Sequence, residues 1–324
     1  MIGNWNFADI IEGLAAHMPE DAPALLHGTY CISWGAFDRR TNALARAMLK
    51  AGAKHGEKVA HFLKNSPAYI ESCIAAQKAR LVHVNVNYRY KGDELFYILD
   101  NSDSRIVIYD QDFAPLIKDL HTKLPHVHLW IEYGQDQSPE FATNYETVIA
   151  NQSIGALRIR RLGDDQIFIS TGGTTGLPKA VMWRQDDLWQ ALGGGSVRRG
   201  MKRPKDLAEH INNVQKQGPY GKLLAAAPFM HGAGLMTSLN ALANGGAVIT
   251  LPSAGFNVDE LLHEIHRHKA TTLLIVGDAF ARPLLRALDE GKGDISSLGL
   301  IISSGAMWSA DVKQGLLKHN PRLT

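Results

Sequence analysis

The chain has 324 residues, 45% of them apolar and 20% charged, with a formal net charge of +2; it is long enough for a core that splits into subdomains, and too nearly neutral to ask for a polyanionic partner such as nucleic acid. Its two cysteines, Cys31 and Cys73, lie far apart and form no CxxC pair, which argues against a disulfide framework or zinc cluster and suits a reducing compartment. The start Met1-Ile2-Gly3-Asn4-Trp5-Asn6 lacks a basic, then apolar, leader, and no window nears the roughly 18 apolar residues of a membrane helix, so a cytoplasmic protein is expected, with peripheral membrane contact left open.

Taken in chain order, helical and strand patterns alternate. Ala36 to Ala51 carries Phe37, Leu44, Met48 and Ala51 at helical spacing, and Gly52 and Gly56 mark the turn after it. Val59 to Leu63 reads as a strand. Ser66-Pro67 opens a helix, since proline suits a first turn, and that helix runs through Tyr69, Ile70, Cys73, Ile74 and Ala76. A strand from Leu81 to Val86, a helix from Gly92 to Asn101 and a strand from Ile106 to Tyr109 come next. Residues 111–163 are less regular, with one helix and one strand expected. Gln166 to Ile169 is a short apolar strand leading straight into a Gly/Thr-rich loop, after which Asp186-Asp187 caps a helix carrying Leu188, Trp189 and Leu192 and ended by Gly193-Gly194-Gly195. Val197 to Lys222 is polar and basic, a solvated insertion with room for one short helix.

Alternation then resumes: strands at 223–227, 247–251, 271–276 and 298–303, helices at 236–243, 258–268, 279–288 and 310–318. This pattern predicts an α/β fold of right-handed βαβ units, mostly parallel sheets flanked by helices, in approximate subdomains 1–163 and 164–324.

Ser170-Thr171-Gly172-Gly173-Thr174-Thr175-Gly176-Leu177-Pro178-Lys179 carries the chemistry. Glycines let backbone amides approach an anion, successive N–H groups make an anion-binding concavity, threonine hydroxyls donate, and Lys179 adds positive charge. A flexible turn after a strand is the plain alternative; the preceding strand, the stiffening Pro178 and the closing lysine favour phosphate binding. A Walker loop is disfavoured, because Leu177 and Pro178 separate Gly176 from Lys179 and Ala180 follows.

This decapeptide resembles the signature of the AMP-binding, adenylate-forming superfamily: acyl- and aryl-CoA synthetases, peptide-synthetase adenylation domains and beetle luciferases. Ala180 stands where the family usually has glycine. Cys31 to Phe37 is similar to an early family segment, and Lys78 to Asn87 resembles the family's Lys-Ala-Gly…Asn segment. Pro228-Phe229-Met230-His231-Gly232 resembles the aromatic/histidine substrate-pocket motif, and Ser303-Ser304-Gly305-Ala306 the adenine-side motif. Met182 to Gln185, with Val276-Gly277-Asp278-Ala279-Phe280-Ala281-Arg282-Pro283, most resembles the bacterial branch acting on long-chain fatty acids and steroid side-chain carboxylates.

The resemblance implies the N-terminal domain of an ATP-dependent acyl-CoA synthetase, with ATP, Mg²⁺ and CoA as its small molecules. Thr171, Gly172, Gly173, Thr174, Thr175, Gly176 and Lys179 would hold the phosphates, with Thr175 a candidate Mg²⁺ contact. Ser304, Gly305 and Ala306 would face adenine. Met230, His231, Gly232, Gly277 and Asp278 would line the acyl pocket, although Asp278 reads equally as a helix cap. His263, His266 and His268 invite a metal reading, but i and i+5 do not share a helix face. There is no Gly-x-Ser-x-Gly elbow to anchor a hydrolase triad.

The chain ends at Thr324, ahead of the segments where the family carries its metal-holding glutamate, ribose-binding aspartate and adenylation lysine. The resemblance therefore implies a domain without its C-terminal lid, unable to complete thioester formation alone. Activation of an aryl or amino acid, or carrier-protein loading, is the alternative on the same fold. A non-catalytic nucleotide- or lipid-binding fragment is the alternative of another class.

Overall fold

The computed structural model describes residues 4–134, 137–171, 179–196, 202–218, 221–253 and 255–324. Asn6 starts the first helix, α1 (Phe7–Ala15), by accepting the Ala8 N–H, and Phe7, Ile10, Ile11 and Leu14 form its buried stripe. Next come β1 (Pro23–His27), β2 (Tyr30–Ser33) and α2 (Trp34–Lys50), the last capped by the Ser33 hydroxyl. β3 (Lys58–Phe62), α3 (Pro67–Lys78), β4 (Val82–Asn85), α4 (Gly92–Asn101) and β5 (Ser104–Asp110) keep to the expected alternation. Between 111 and 163 the structure holds α5 (Ala114–Leu120), β6 (Leu129–Tyr133), β7 (Thr143–Asn144) and α6 (Tyr145–Ala150), more than the one helix and one strand expected.

β8 (Gln166–Thr171) is followed by β9 (Lys179–Arg184), then α7 (Gln185–Ala191) and α8 (Leu207–Gln217). The last third comprises β10 (Lys222–Ala225), α9 (Gly232–Ala243), β11 (Ala247–Thr250), α10 (Val258–His268), β12 (Thr272–Ile275), α11 (Asp278–Asp289), β13 (Leu300–Ser303) and α12 (Ala310–His319). α8 gives the basic stretch its helix, and this helix is not merely solvated: His210, Ile211 and Val214 are buried, and Ile211 and Leu207 close on Gly13 of α1.

Among the described residues the strands form two sheets, ordered β7-β6-β5-β3-β4-β8-β9 and β13-β12-β10-β11-β1-β2. Every pairing is parallel except β8 with β9 and β1 with β2. Sheet membership crosses residue 163 in both directions. β1 joins the late strand β11, and β8 and β9 join the early strand β4, because pairing partners are chosen in space rather than along the chain.

The strand period of two separates the layers. In β3, Val59 packs into the core between the sheets while Ala60 packs outward; in β1, Leu25 faces between the sheets and Leu26 outward. The layer between the sheets draws on α1, α2, α3 and α9, one outer layer on α4 and α5, the other on α10, α11 and α12. α3 is buried along its whole length, as a helix sandwiched between sheets must be.

Candidate functional site

In open α/β sheets the ligand crevice lies beyond the carboxyl ends of the strands, and those of the sequence-derived site residues that the structure describes sit there. Along the second sheet β13, β12 and β10 are neighbours, so Ser304-Gly305-Ala306, Gly277-Asp278 and Pro228 to Gly232 leave adjacent strands side by side. Thr171 ends β8 in the other sheet and pairs across with Lys179, the first residue of β9. Gly172, Gly173, Thr174, Thr175 and Gly176, with Leu177 and Pro178, lie outside the described residues. The helix expected after this loop does not come directly: the antiparallel strand β9 stands between the loop and α7. Nor does Asp186-Asp187 cap that helix. Its N-cap is Arg184, with Asp186 and Asp187 in its first turn, and Asp186 is committed elsewhere, accepting the Trp5 N–H at 3.2 Å.

His231 stands at the N-cap of α9 without a side-chain cap bond. The first N–H groups of this 12-residue helix therefore present the positive end of its dipole beside the ring. His231 is exposed, yet desolvation of the part facing the protein, then the charge of Arg89, lowers its pKa from the usual value. The ring is thus neutral near pH 7 and can hydrogen-bond a carboxylate without forming an ion pair. Met230 is buried. Gly232 and Gly234 allow close approach: a Cβ would come 3.2 Å from Ile169 of β8 at the first and 2.3 Å from the Pro228 carbonyl oxygen at the second.

Asp278 is not the cap of the helix it opens; the N-cap of α11 is Gly277. The Asp278 carboxylate is taken up by Ser309, accepting its N–H at 3.0 Å and its hydroxyl at 2.7 Å, and by Arg282 Nε at 3.0 Å. It latches the segment after β13, and these bonds, led by the Ser309 N–H, lower its pKa. Gly277 has φ 54° and ψ −154°, a region open essentially to glycine, and a Cβ there would lie 2.4 Å from the Met307 carbonyl oxygen. Its N–H donates to Ser303 Oγ at 2.9 Å, and the Asp278 N–H donates to the Met307 carbonyl at 3.1 Å. The adenine-side segment thus rests on the β12–α11 corner, with Gly305 and Ala306 exposed.

Two residues outside the sequence-derived set join these segments. Asn85, closing β4, accepts the Ser170 N–H at 2.5 Å and donates to the carbonyls of Ser170, at 3.1 Å, and Met230. Asn65 accepts the Phe229 N–H at 2.7 Å and donates to the Ala227 carbonyl at 3.0 Å. Their signal was an asparagine closing or following an apolar strand, where that residue type is disfavoured.

A cavity of about 460 Å³ opens between the sheets, lined by Lys64, Asn65, Tyr88, Arg89, Pro228 and Phe256 among others. A second, of about 230 Å³, lies between α9 and the starts of β10, β12 and β13, lined by Leu192, Leu223, Thr237, Ala241, Leu300 and Ile302 among others. The first meets the sequence-derived segments at Pro228; Met230, His231, Gly232, Gly277, Asp278, Ser304, Gly305 and Ala306 line neither cavity. Among the described residues no group of three or more His, Cys, Asp or Glu side chains converges. Thr175, the candidate Mg²⁺ contact, lies outside the described residues. His263 instead accepts hydrogen bonds from Arg267 on the exposed face of α10.

A family model described as "AMP-binding enzyme" matches residues 12–324. The chain is 32% identical to a 3-oxocholest-4-en-26-oate–CoA ligase of Rhodococcus rhodochrous, over 98% of this chain and 58% of that protein. It is 30% identical to a medium-chain acyl-CoA ligase of Mycobacterium avium, over 96% of this chain and 60% of that protein. The chain thus spans about 60% of the length of these curated relatives. Among solved structures it is similar to an anthranilate–CoA ligase in complex with anthranoyl-AMP, with TM-score 0.84, 21% identity, and coverage of 98% of this chain and 58% of that one. It is also similar to a long-chain-fatty-acid–CoA ligase from Archaeoglobus fulgidus, with TM-score 0.82, 20% identity, and coverage of 100% and 63%.

Proposed function

The chain belongs to the AMP-binding enzyme family, and from that premise we propose that its protein activates an apolar carboxylic acid, a fatty acid or a steroid side-chain acid, first as the acyl-adenylate and then as the acyl-CoA. The observation that carries this reading is the row of segments at the strand ends: Ser304 to Ala306, Gly277, Met230 to Gly232, and Ser170-Thr171 with Lys179. The names of the relatives supply the substrate class.

In the first step a carboxylate oxygen attacks the α-phosphorus of MgATP, forming the acyl–O–P bond and expelling pyrophosphate. Thr171, Gly172, Gly173, Thr174, Thr175, Gly176 and Lys179 hold the β- and γ-phosphates. The metal enters with the nucleotide as part of the substrate. Ser304, Gly305 and Ala306 face the adenine. Neutral His231 and the uncapped start of α9 meet the acid's carboxylate, orienting it for attack. In the second step the CoA thiolate attacks the acyl carbonyl and AMP leaves. A cytoplasmic setting accords with these co-substrates; no described helix is long and apolar enough to cross a membrane.

The cavity beside α9, with no ionisable side chain among the described residues lining it, suits the apolar tail of such an acid. The test is acid-dependent exchange of labelled pyrophosphate into ATP by the full-length protein, screened across medium- and long-chain fatty acids, a steroid side-chain acid, aryl acids and amino acids. Exchange is expected with the fatty acids and the steroid acid. An amino acid as the best substrate would overturn the acyl assignment, and exchange with none would overturn the ligase reading.

A further inference from the structure

We infer that Asn85 is a positioning residue that couples the phosphate-loop strand to the segment meeting the acid's carboxylate; the inference rests on the ligase reading above. Backbone pairing between β4 and β8 runs only as far as Val84 opposite Phe168. Beyond it, the Asn85 side chain takes over the ladder. Its oxygen accepts the Ser170 N–H and its amide nitrogen donates to the Ser170 carbonyl, so one side chain satisfies both backbone groups of the residue just before Thr171.

The amide's remaining hydrogen goes to the Met230 carbonyl, immediately before His231. Flipping the amide would set its oxygen against two carbonyls and its NH₂ against an N–H, so the geometry fixes the orientation. Asn85 is 2% exposed, and water cannot readily replace these bonds.

Asn65 grips the same connection from the end of β3, holding the Phe229 N–H and the Ala225 and Ala227 carbonyls. Asn65 bonds only to this connection, at Ala225, Ala227 and Phe229; of the two asparagines, Asn85 is the one that also holds Ser170. A displacement of the strand end that carries the phosphate loop is therefore passed through one amide to the residue preceding His231. In the first half-reaction the carboxylate oxygen must lie in line with the α-phosphorus, so an error in the distance between these two segments costs alignment, not the binding of either substrate.

The experiment titrates the chain, Asn85→Ser and Asn85→Leu with three probes: ATP alone, a medium-chain fatty acid alone, and an ATP analogue that keeps all three phosphates and carries a medium-length alkyl chain on its α-phosphorus, so that it spans the phosphate-loop and acid subsites. Circular dichroism and thermal melting report folding. The expected result is that ATP and acid affinities stay within about threefold of the parent, while the spanning probe binds about tenfold more weakly or worse, as lost buried hydrogen bonds dictate. Equal weakening of all three probes, an unchanged affinity for the spanning probe, or failure of both variants to fold would make Asn85 a structural residue and overturn the inference. A parent chain that binds neither ATP nor the spanning probe brings down the ligase reading itself, and the inference with it.

Discussion

His61 and His83 stack in the first sheet with ring centroids 4.4 Å apart, and both are fully buried. The His61 Nδ1 faces the Val59 carbonyl at 3.0 Å and must donate to it, which leaves Nε2 a bare acceptor with no hydrogen-bond partner among the described residues. His83 donates from Nδ1 to the Phe168 carbonyl of β8 and accepts the Tyr69 hydroxyl at Nε2, each at 3.3 Å. Burial lowers both pKa values, that of His61 to about 4. The unfolded chain takes up a proton near pH 6.5 and the folded chain does not until about pH 4. Stability is therefore flat above about 6.5 and falls as pH drops from there towards 4, by roughly 3 kcal/mol from His61 alone. Urea unfolding at about pH 7 and about pH 4.5 checks this. His61→Leu should shrink the acid-induced loss relative to the parent, and an equal loss in both would refute the assignment.

The β12–α11 corner makes the corresponding case for elements. Its latch of Asp278, Ser309 and Arg282 ties one helix start to the segment that leaves the neighbouring strand. Asp278→Ala should speed amide exchange across 304–309 and weaken ATP binding by roughly three- to tenfold, while the acid alone binds as before. A wild-type exchange pattern in that segment would show that the glycine corner holds it unaided. The latch stabilises above the ordinary carboxyl pKa and is lost as pH falls through the lowered pKa of Asp278.

The elements that the sequence made visible are those with local causes: Ser66-Pro67 before a helix, Gly52 and Gly56 at a turn, apolar strands with helices between them. Those it hid depend on distant partners. β1 pairs with β11 (Leu25 with Val248), and β9 presents Val181 and Met182 to solvent, so no alternation of inside and outside marks it. The Gly/Thr motif was legible by type, whereas Asn85 was not, because Ser170 and Met230 lie 85 and 145 residues away. Asp278 was legible as a strand-end acid, but its engagement with Ser309, 31 residues on, decides its role.

At the scale of the molecule, the strand-end row spans both sheets, so its geometry depends on how the sheets are held together. That is the work of the layer between them. α3 packs against β3 and β4 on one side and β1 on the other, and the Tyr69 ring lies against His83 and against Phe229, 5.8 and 5.4 Å between centroids. One apolar cluster runs through this layer and draws on both sheets, so the sheets cannot lose it separately. Ile74, fully buried in α3, tests this. Ile74→Ala removes methyl groups where neither sheet can collapse without moving the other, and should cost about 2–5 kcal/mol. If the layer is shared, hydrogen exchange of the slowest amides in β5 and in β12 accelerates by the same factor, since both then open only through global unfolding. Acceleration confined to β5 would mean that the first sheet and its helices open as a unit of their own. The alignment of phosphate loop and acid segment would then rest on the asparagine contacts at the strand ends rather than on the core.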